Sequence, residues 1–226
     1  MSMTDSLKRK MEQLGAGTLS PHEAGTALRM AAVLKDLESM RSLVNAGVDV
    51  NAREEAFGTT PLLVAVEGDT AMNESTHEQV QLLLNAGAVA SVEAKNEEGH
   101  TALYLAVGSN KVETVNALIQ AGADVNATNN WGTTPLMKAS SLGSDGCVAA
   151  LLNAGADASA RNSFGETALS LALPSSQSRT LIEVELSHRA AQERAARAGS
   201  LDNLYAALNA PAEPVAPRPP RVRQRC

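Results

Sequence analysis

The sequence predicts an all-α chain built as a stack of similar helix pairs. Three observations carry this. A Thr-x-Leu unit occurs five times, at Thr26-Ala27-Leu28, Thr60-Pro61-Leu62, Thr101-Ala102-Leu103, Thr134-Pro135-Leu136 and Thr167-Ala168-Leu169, with intervals of 34, 41, 33 and 33 residues. A second landmark, at Asn45-Ala46-Gly47, Asn85-Ala86-Gly87, Gln120-Ala121-Gly122 and Asn153-Ala154-Gly155, follows the first four threonines, its Gly lying 21, 27, 21 and 21 residues on. A period of this size marks repeats that bury their apolar faces against one another. The composition agrees: 44% of residues are hydrophobic but only 2% aromatic, so Ala, Leu and Val must fill thin layers of closely packed helices.

The full line is Gly-Xaa-Thr-Ala/Pro-Leu, then Ala, then Val-x-x-Leu-Leu-x-x-Gly-Ala-Asp-Val-Asn-Ala. It is most complete from Gly99 to Ala127, and is followed closely from Gly25 to Ala52 and from Gly132 to Ala160. It resembles the ankyrin repeat, a unit of a turn and two helices, over residues 20–209. The resemblance implies an ankyrin-repeat solenoid of stacked helix pairs with short β-hairpin fingers. Expected domains are an N-terminal capping segment (1–19), the repeat domain with a degenerate C-terminal helical cap (20–209), and a disordered Pro/Arg-rich tail (210–226).

Each motif residue has a physical task. The Thr hydroxyl can cap the first helix by accepting from its exposed N–H groups. Pro61 and Pro135 fall just inside, where a missing N–H costs nothing. Ala31, Ala65, Ala106, Ala139 and Ala172 are small where neighbouring helices approach. Met40, Val80, Val115 and Val148, with the pairs Leu83-Leu84 and Leu151-Leu152, give the second helix its apolar face. The glycines after it supply a positive φ. Departures carry expectations too. The family's usual His after the Leu is Arg29, Leu63, Tyr104, Met137 or Ser170 here, which predicts lost hydrogen bonds and modest local stability. Val89 and Ser91 replace the Asp and Asn of the second finger, which predicts a different turn there.

At the first repeat two helix starts compete, Thr26 and the capping box Ser20-Pro21-His22-Glu23. The box is favoured because an end repeat need not make a finger. Residues 3–14 should form an amphipathic helix over the exposed end. At the far end, Ala195 to Leu204 reads as a helix–Gly–helix unit centred on Gly199. The six extra residues of the second repeat lie near Gly68 to Gln79. They read as a surface insertion, with a binding loop as the alternative. From Pro211 to Cys226 the chain is Pro-rich and then Arg-rich (Arg218, Arg221, Arg223, Arg225), a composition that cannot bury enough apolar surface to fold.

The formal net charge is −6, and the absence of a basic face on the body argues against nucleic acid. No apolar run is long enough for a membrane span, and residues 1–14 lack the apolar core of a secretory signal. Cys147 and Cys226 form neither a disulfide framework nor zinc spacing. A cytoplasmic protein is expected. His22, His77, His100 and His188 include no i, i+4 metal pair, and no Gly-rich phosphate loop or nucleophile elbow occurs. Neither catalysis, a cofactor, a metal nor a small-molecule substrate is expected. The resemblance implies binding of another protein through the finger and concave face. A structural subunit held permanently in a larger complex is the alternative.

The aromatic residues point to where binding would occur. Phe57, Trp131 and Phe164 each stand immediately before the Gly that precedes the Thr turn. In ankyrin repeats that position is at the finger. Trp131 and Phe164 should be neighbours about 10 Å apart, the spacing of packed helices, with Phe57 a few layers away and Glu98 between. Exposed aromatic side chains on a rigid scaffold are favoured interface anchors. The expected rim is Arg53, Lys95, Glu97, His100, Asn130, Thr133, Arg161 and Glu166. A large residue at this position can also pack against the next finger, and the two roles are compatible.

Overall fold

The computed structural model describes residues 2–54, 58–67, 75–174 and 176–208, with residues 75 and 199–208 described by backbone alone. The chain divides into two units, Met1–Leu186 and Ser187–Cys226. Eleven α-helices are found among the described residues: α1 Met3–Gly15, α2 Pro21–Val33, α3 Leu37–Asn45, α4 Pro61–Glu67, α5 Ser75–Asn85, α6 Ala102–Gly108, α7 Val112–Gln120, α8 Pro135–Leu142, α9 Asp145–Asn153, α10 Ala168–Leu171 and α11 Gln177–Leu208.

In the first unit the first helices of the repeats (α2, α4, α6, α8, α10) pack in succession, as do the second helices (α3, α5, α7, α9). Thr101, Thr134 and Thr167 are N-caps whose hydroxyls accept from Tyr104, Met137 and Ser170 N–H, and Thr60 accepts likewise from Leu63 N–H at 3.3 Å. The small column is fully buried at Ala31, Ala65, Ala106 and Ala139, and nearly so at Ala172. Met40, Val80, Val115 and Val148 are equally sealed, with Leu43, Leu83, Leu118 and Leu151 behind them. One continuous apolar core results, and stacking rather than depth supplies the burial.

The first repeat starts at the capping box. Ser20 caps α2 with the reciprocal Glu23 bond, and Pro21 is the first helical residue. Thr26 is inside the helix, its hydroxyl donating to His22 O. The helix α1 buries Leu7 and packs Met11 and Leu14 against the core, as an end cover must. Arg29 changes the expectation of a lost bond at the family's His position. Its guanidinium is buried and reaches Ala52 O at 3.4 Å and Thr26 Oγ1 at 3.2 Å.

Layers are also joined by residues between the paired helices. Lys35 and Asn110 take left-handed φ values of 56° and 54°. Lys35 Nζ donates to Ala65 O and Thr76 Oγ1 of the next repeat, and Asn110 Oδ1 accepts from Cys147 Sγ at 3.6 Å. Cys147 is fully buried, and desolvation, with the Glu113 charge second, pushes its thiol up to about 11. At the last described repeat, Asp145 Oδ1 accepts from both the backbone and the hydroxyl of Ser178.

Two expectations are corrected. No β-strand occurs among the described residues. The fingers are loops closed by a backbone bond such as Asn96 N–H to His100 O or Asn129 N–H to Thr133 O, over a tighter turn bond such as Gly99 N–H to Asn96 O or Gly132 N–H to Asn129 O, and such turn bonds do not make a ladder. The break expected at Gly199 is also absent, because α11 runs through it. A mid-helix Gly costs only about 1 kcal/mol relative to Ala, which a long helix tolerates. Phe57, residues 68–74 of the insertion, and residues 209–226 lie outside the described residues.

Candidate functional site

The fingers owe their shape to short-range polar bonds. Asp49, Asp124 and Asp157 each accept, through Oδ1, the N–H two residues on, an Asx turn. Val89 has no carboxylate to do this, and Ala88–Ser91 is a 3₁₀ turn instead. The different turn expected there is thus found, with its cause.

At the tips a second set of residues does the folding. Asn96 Oδ1 accepts from Glu98 and His100 N–H. Asn129 Oδ1 accepts from Trp131 and Thr133, and Asn162 Oδ1 from Phe164 and Glu166. The sequence reading missed these asparagines, although their signal was present: each stands three residues before the finger Gly, at intervals of 33. Neighbouring tips are tied by Asn130 N–H to Glu98 O at 3.1 Å and Ser163 N–H to Trp131 O at 2.9 Å. Trp131 and Phe164 are thereby presented on loops with fixed backbones.

Their side chains stay accessible, Trp131 at 44% and Phe164 at 72% exposure. Both line one open cleft of about 390 Å³, with Glu98, His100, Tyr104, Asn129 and Thr133. His100 is not on the rim but on the floor. Its ring stacks on Tyr104 with centroids 4.3 Å apart and planes within 8°, and it meets Trp131 at 6.1 Å with a 47° tilt. His100 Nδ1 lies 2.9 Å from Glu98 Oε2, and Asn129 Nδ2 lies 3.4 Å from its Nε2. The two contacts together fit a neutral ring donating through Nδ1.

Several expected rim residues hold the fingers together. Lys95 Nζ donates to Thr128 O at 2.7 Å, and Asn130 Nδ2 to Glu97 O at 2.8 Å. Arg161 Nη1 donates to Gly165 O and Asn162 Nδ2 to Glu166 Oε2, both within one loop. Arg53, Glu97 and Glu98 are exposed and Thr133 half-buried. A larger groove of about 670 Å³ lies between α1 and the α2–α3 pair, lined by Leu7, Met11, Leu34 and Asp36 among others. Of its two acids, Glu12 and Asp36, the latter is engaged in capping and accepts from both the N–H and the hydroxyl of Ser39. The finger cleft has the exposed anchors and is the candidate. Among the described residues, no three His, Cys, Asp or Glu side chains converge as a metal site, and no helix is long and apolar enough to cross a membrane.

Burial pushes His100 below its ordinary value of 6.5, opposed by Glu98, helped by Lys138 and opposed more weakly by Glu67. A lowered folded-state pKa means the contribution of neutral His100 to folding is full above pH 6.5. That contribution is lost as pH falls through the lowered value. Urea midpoints should therefore drop between pH 7.5 and 5.5 by more in the parent than in His100→Gln. Equal drops would show that His100 does not carry this dependence.

A stack of helix pairs with Thr-capped first helices, Gly-ended second helices and projecting fingers defines an interaction solenoid, and the chain belongs to the ankyrin-repeat family. The family model for ankyrin repeats in three copies matches residues 28–129, and that for ankyrin repeats in many copies matches 118–172. The chain is similar to the nuclear factor NF-kappa-B p105 subunit of Gallus gallus, 34% identical over 106 residues, which are 47% of this chain and 10% of that protein. It is similar also to the B-cell lymphoma 3 protein homolog of Mus musculus (34% over 103 residues, 46% and 21%). A third relative is the NF-kappa-B inhibitor cactus of Drosophila melanogaster (32% over 103 residues, 46% and 19%). The matched part is between 10% and 21% of these relatives.

Proposed function

We propose that this chain is a non-catalytic, cytoplasmic protein-binding module whose partner docks on the finger face around Trp131 and Phe164. The observation that carries the reading is the cleft in which two large aromatic side chains remain accessible on loops tied by backbone and asparagine bonds. Ankyrin repeats generally mediate protein–protein interaction, and one relative is named for inhibiting another protein. Glu98 and Thr133 flank the cleft, and Arg53, Lys95, Glu97, Asn130, Arg161 and Glu166 belong to the surrounding finger surface. Phe57 extends the same repeat position by sequence. A standard interface covers about 800 Å² per partner, an area that several adjacent fingers supply.

The test begins with affinity purification and mass spectrometry on the full chain, followed by titration of the recovered partner. Trp131→Ala should cost at least about 2 kcal/mol of binding, as hot-spot truncations do, and less than that in stability, because the side chain is only partly buried. Unchanged affinity with a large stability loss would make Trp131 a finger-packing residue and refute the assigned face.

A further inference from the structure

We infer that the partner surface received here is basic, and that the cleft between Trp131 and Phe164 takes an arginine or lysine side chain drawn to Glu98. The inference rests on the protein-binding reading above and names the chemistry of its partner.

The cleft offers aromatic surface and negative charge together. Trp131 and Phe164 stand 44% and 72% exposed above a floor made by the stacked rings of His100 and Tyr104. Aromatic faces attract cations within about 6 Å of the ring centre. At its edge the Glu98 side chain is 59% exposed. Glu98 Oε2 meets His100 Nδ1, and burial lowers the His100 pKa. The ring is therefore neutral at pH 7 and leaves the carboxylate's charge uncompensated. Glu98 also belongs to an adjoining recess of about 300 Å³, lined by Thr59, Glu67, Asn96 and Glu97 as well. Glu98 is thus shared by the aromatic cleft and the recess that Glu67 and Glu97 also line, so negative charge gathers on that side. Lys138 acts on His100 but lines neither recess.

Other occupants fit less well. An acidic side chain would meet like charge at Glu98, with Glu67 and Glu97 adding to it from the adjoining recess. An aliphatic one would desolvate Glu98 without a donor to replace water. A long cationic side chain lays its methylenes on the rings and keeps its head at the carboxylate. Arginine fits better than lysine, because a planar guanidinium stacks on aromatic faces and forks onto carboxylates.

Random heptapeptides displayed on phage should be panned against the immobilised full chain. Only peptides whose binding is lost on Trp131→Ala are kept, which removes those held loosely by the net negative charge. The kept peptides should share a basic residue at one position. A synthetic consensus peptide should bind about three- to fivefold more weakly when Glu98 is replaced by Gln, the loss expected for a largely exposed ion pair. Glu98→Gln retains an oxygen for His100 and the backbone carbonyl that joins the fingers, so the fold is preserved. Kept peptides without a basic residue, or a consensus peptide indifferent to Glu98→Gln, would overturn the basic partner while leaving the finger face standing. Recovery of no Trp131-dependent peptide would overturn both.

Discussion

Gly99→Ala should destabilise the repeat stack by about 3 kcal/mol, adding left-handed backbone strain to overpacking. Gly99 sits at φ 78° in the second finger, a conformation L side chains rarely adopt. A Cβ built there would lie 2.7 Å from Asn130 N and closer still to Asn130 Oδ1. Asn130 N–H donates to Glu98 O and Asn130 Nδ2 to Glu97 O, so the added methyl would strike the atoms that join two fingers. Gly122→Ala is the control. Its φ is 92°, but nothing lies within 4 Å of the added carbon, so only the conformational term of about 1–2 kcal/mol applies. Urea unfolding of both variants checks this. Equal midpoints would mean that the finger contact at Gly99 contributes nothing, and that the cleft beside it is not rigidly held.

The same finger shows how far the sequence could be read. The helix pairs were legible because their signals are local: a Thr that caps, a Pro that needs no partner, a Gly that ends a helix. The altered second turn was legible for the same reason, since Val89 cannot accept the bond Asp49, Asp124 and Asp157 accept. The asparagines at 96, 129 and 162 act on the backbone just after them and recur with the period. They went unread because Asn-rich loops suggest turns in general rather than a particular bond. The floor of the cleft was not legible. His100 belongs to one finger, Tyr104 to the helix below it and Trp131 to the next finger, and only stacking brings the three rings together. Gly199 was misread because a Gly that ends a helix and one that a helix runs through look alike in sequence.

Replacing Gln79 with Met should stabilise the protein by about 2 kcal/mol, the desolvation cost of buried polar groups that make no hydrogen bond. Gln79 lies in α5 with 0% of its surface exposed, and among the described residues neither its amide nitrogen nor its amide oxygen has a hydrogen-bond partner. It immediately precedes the core residue Val80. At the corresponding position of the next two repeats stand Thr114, 1% exposed with its hydroxyl oxygen also unpartnered, and the fully buried Cys147. The column thus carries polar groups into a core that the rest of α5 fills with Val80 and Leu83. Met has nearly the volume and shape of Gln and no polar hydrogen or oxygen, so the exchange should remove the penalty without opening a cavity. Thr114→Val removes one such atom rather than two and should gain about half as much. Because each repeat rests on its neighbours, either gain should raise the midpoint of the main unfolding transition rather than of one layer. A lower midpoint for Gln79→Met would mean that the amide is hydrogen-bonded in solution and that α5 depends on it.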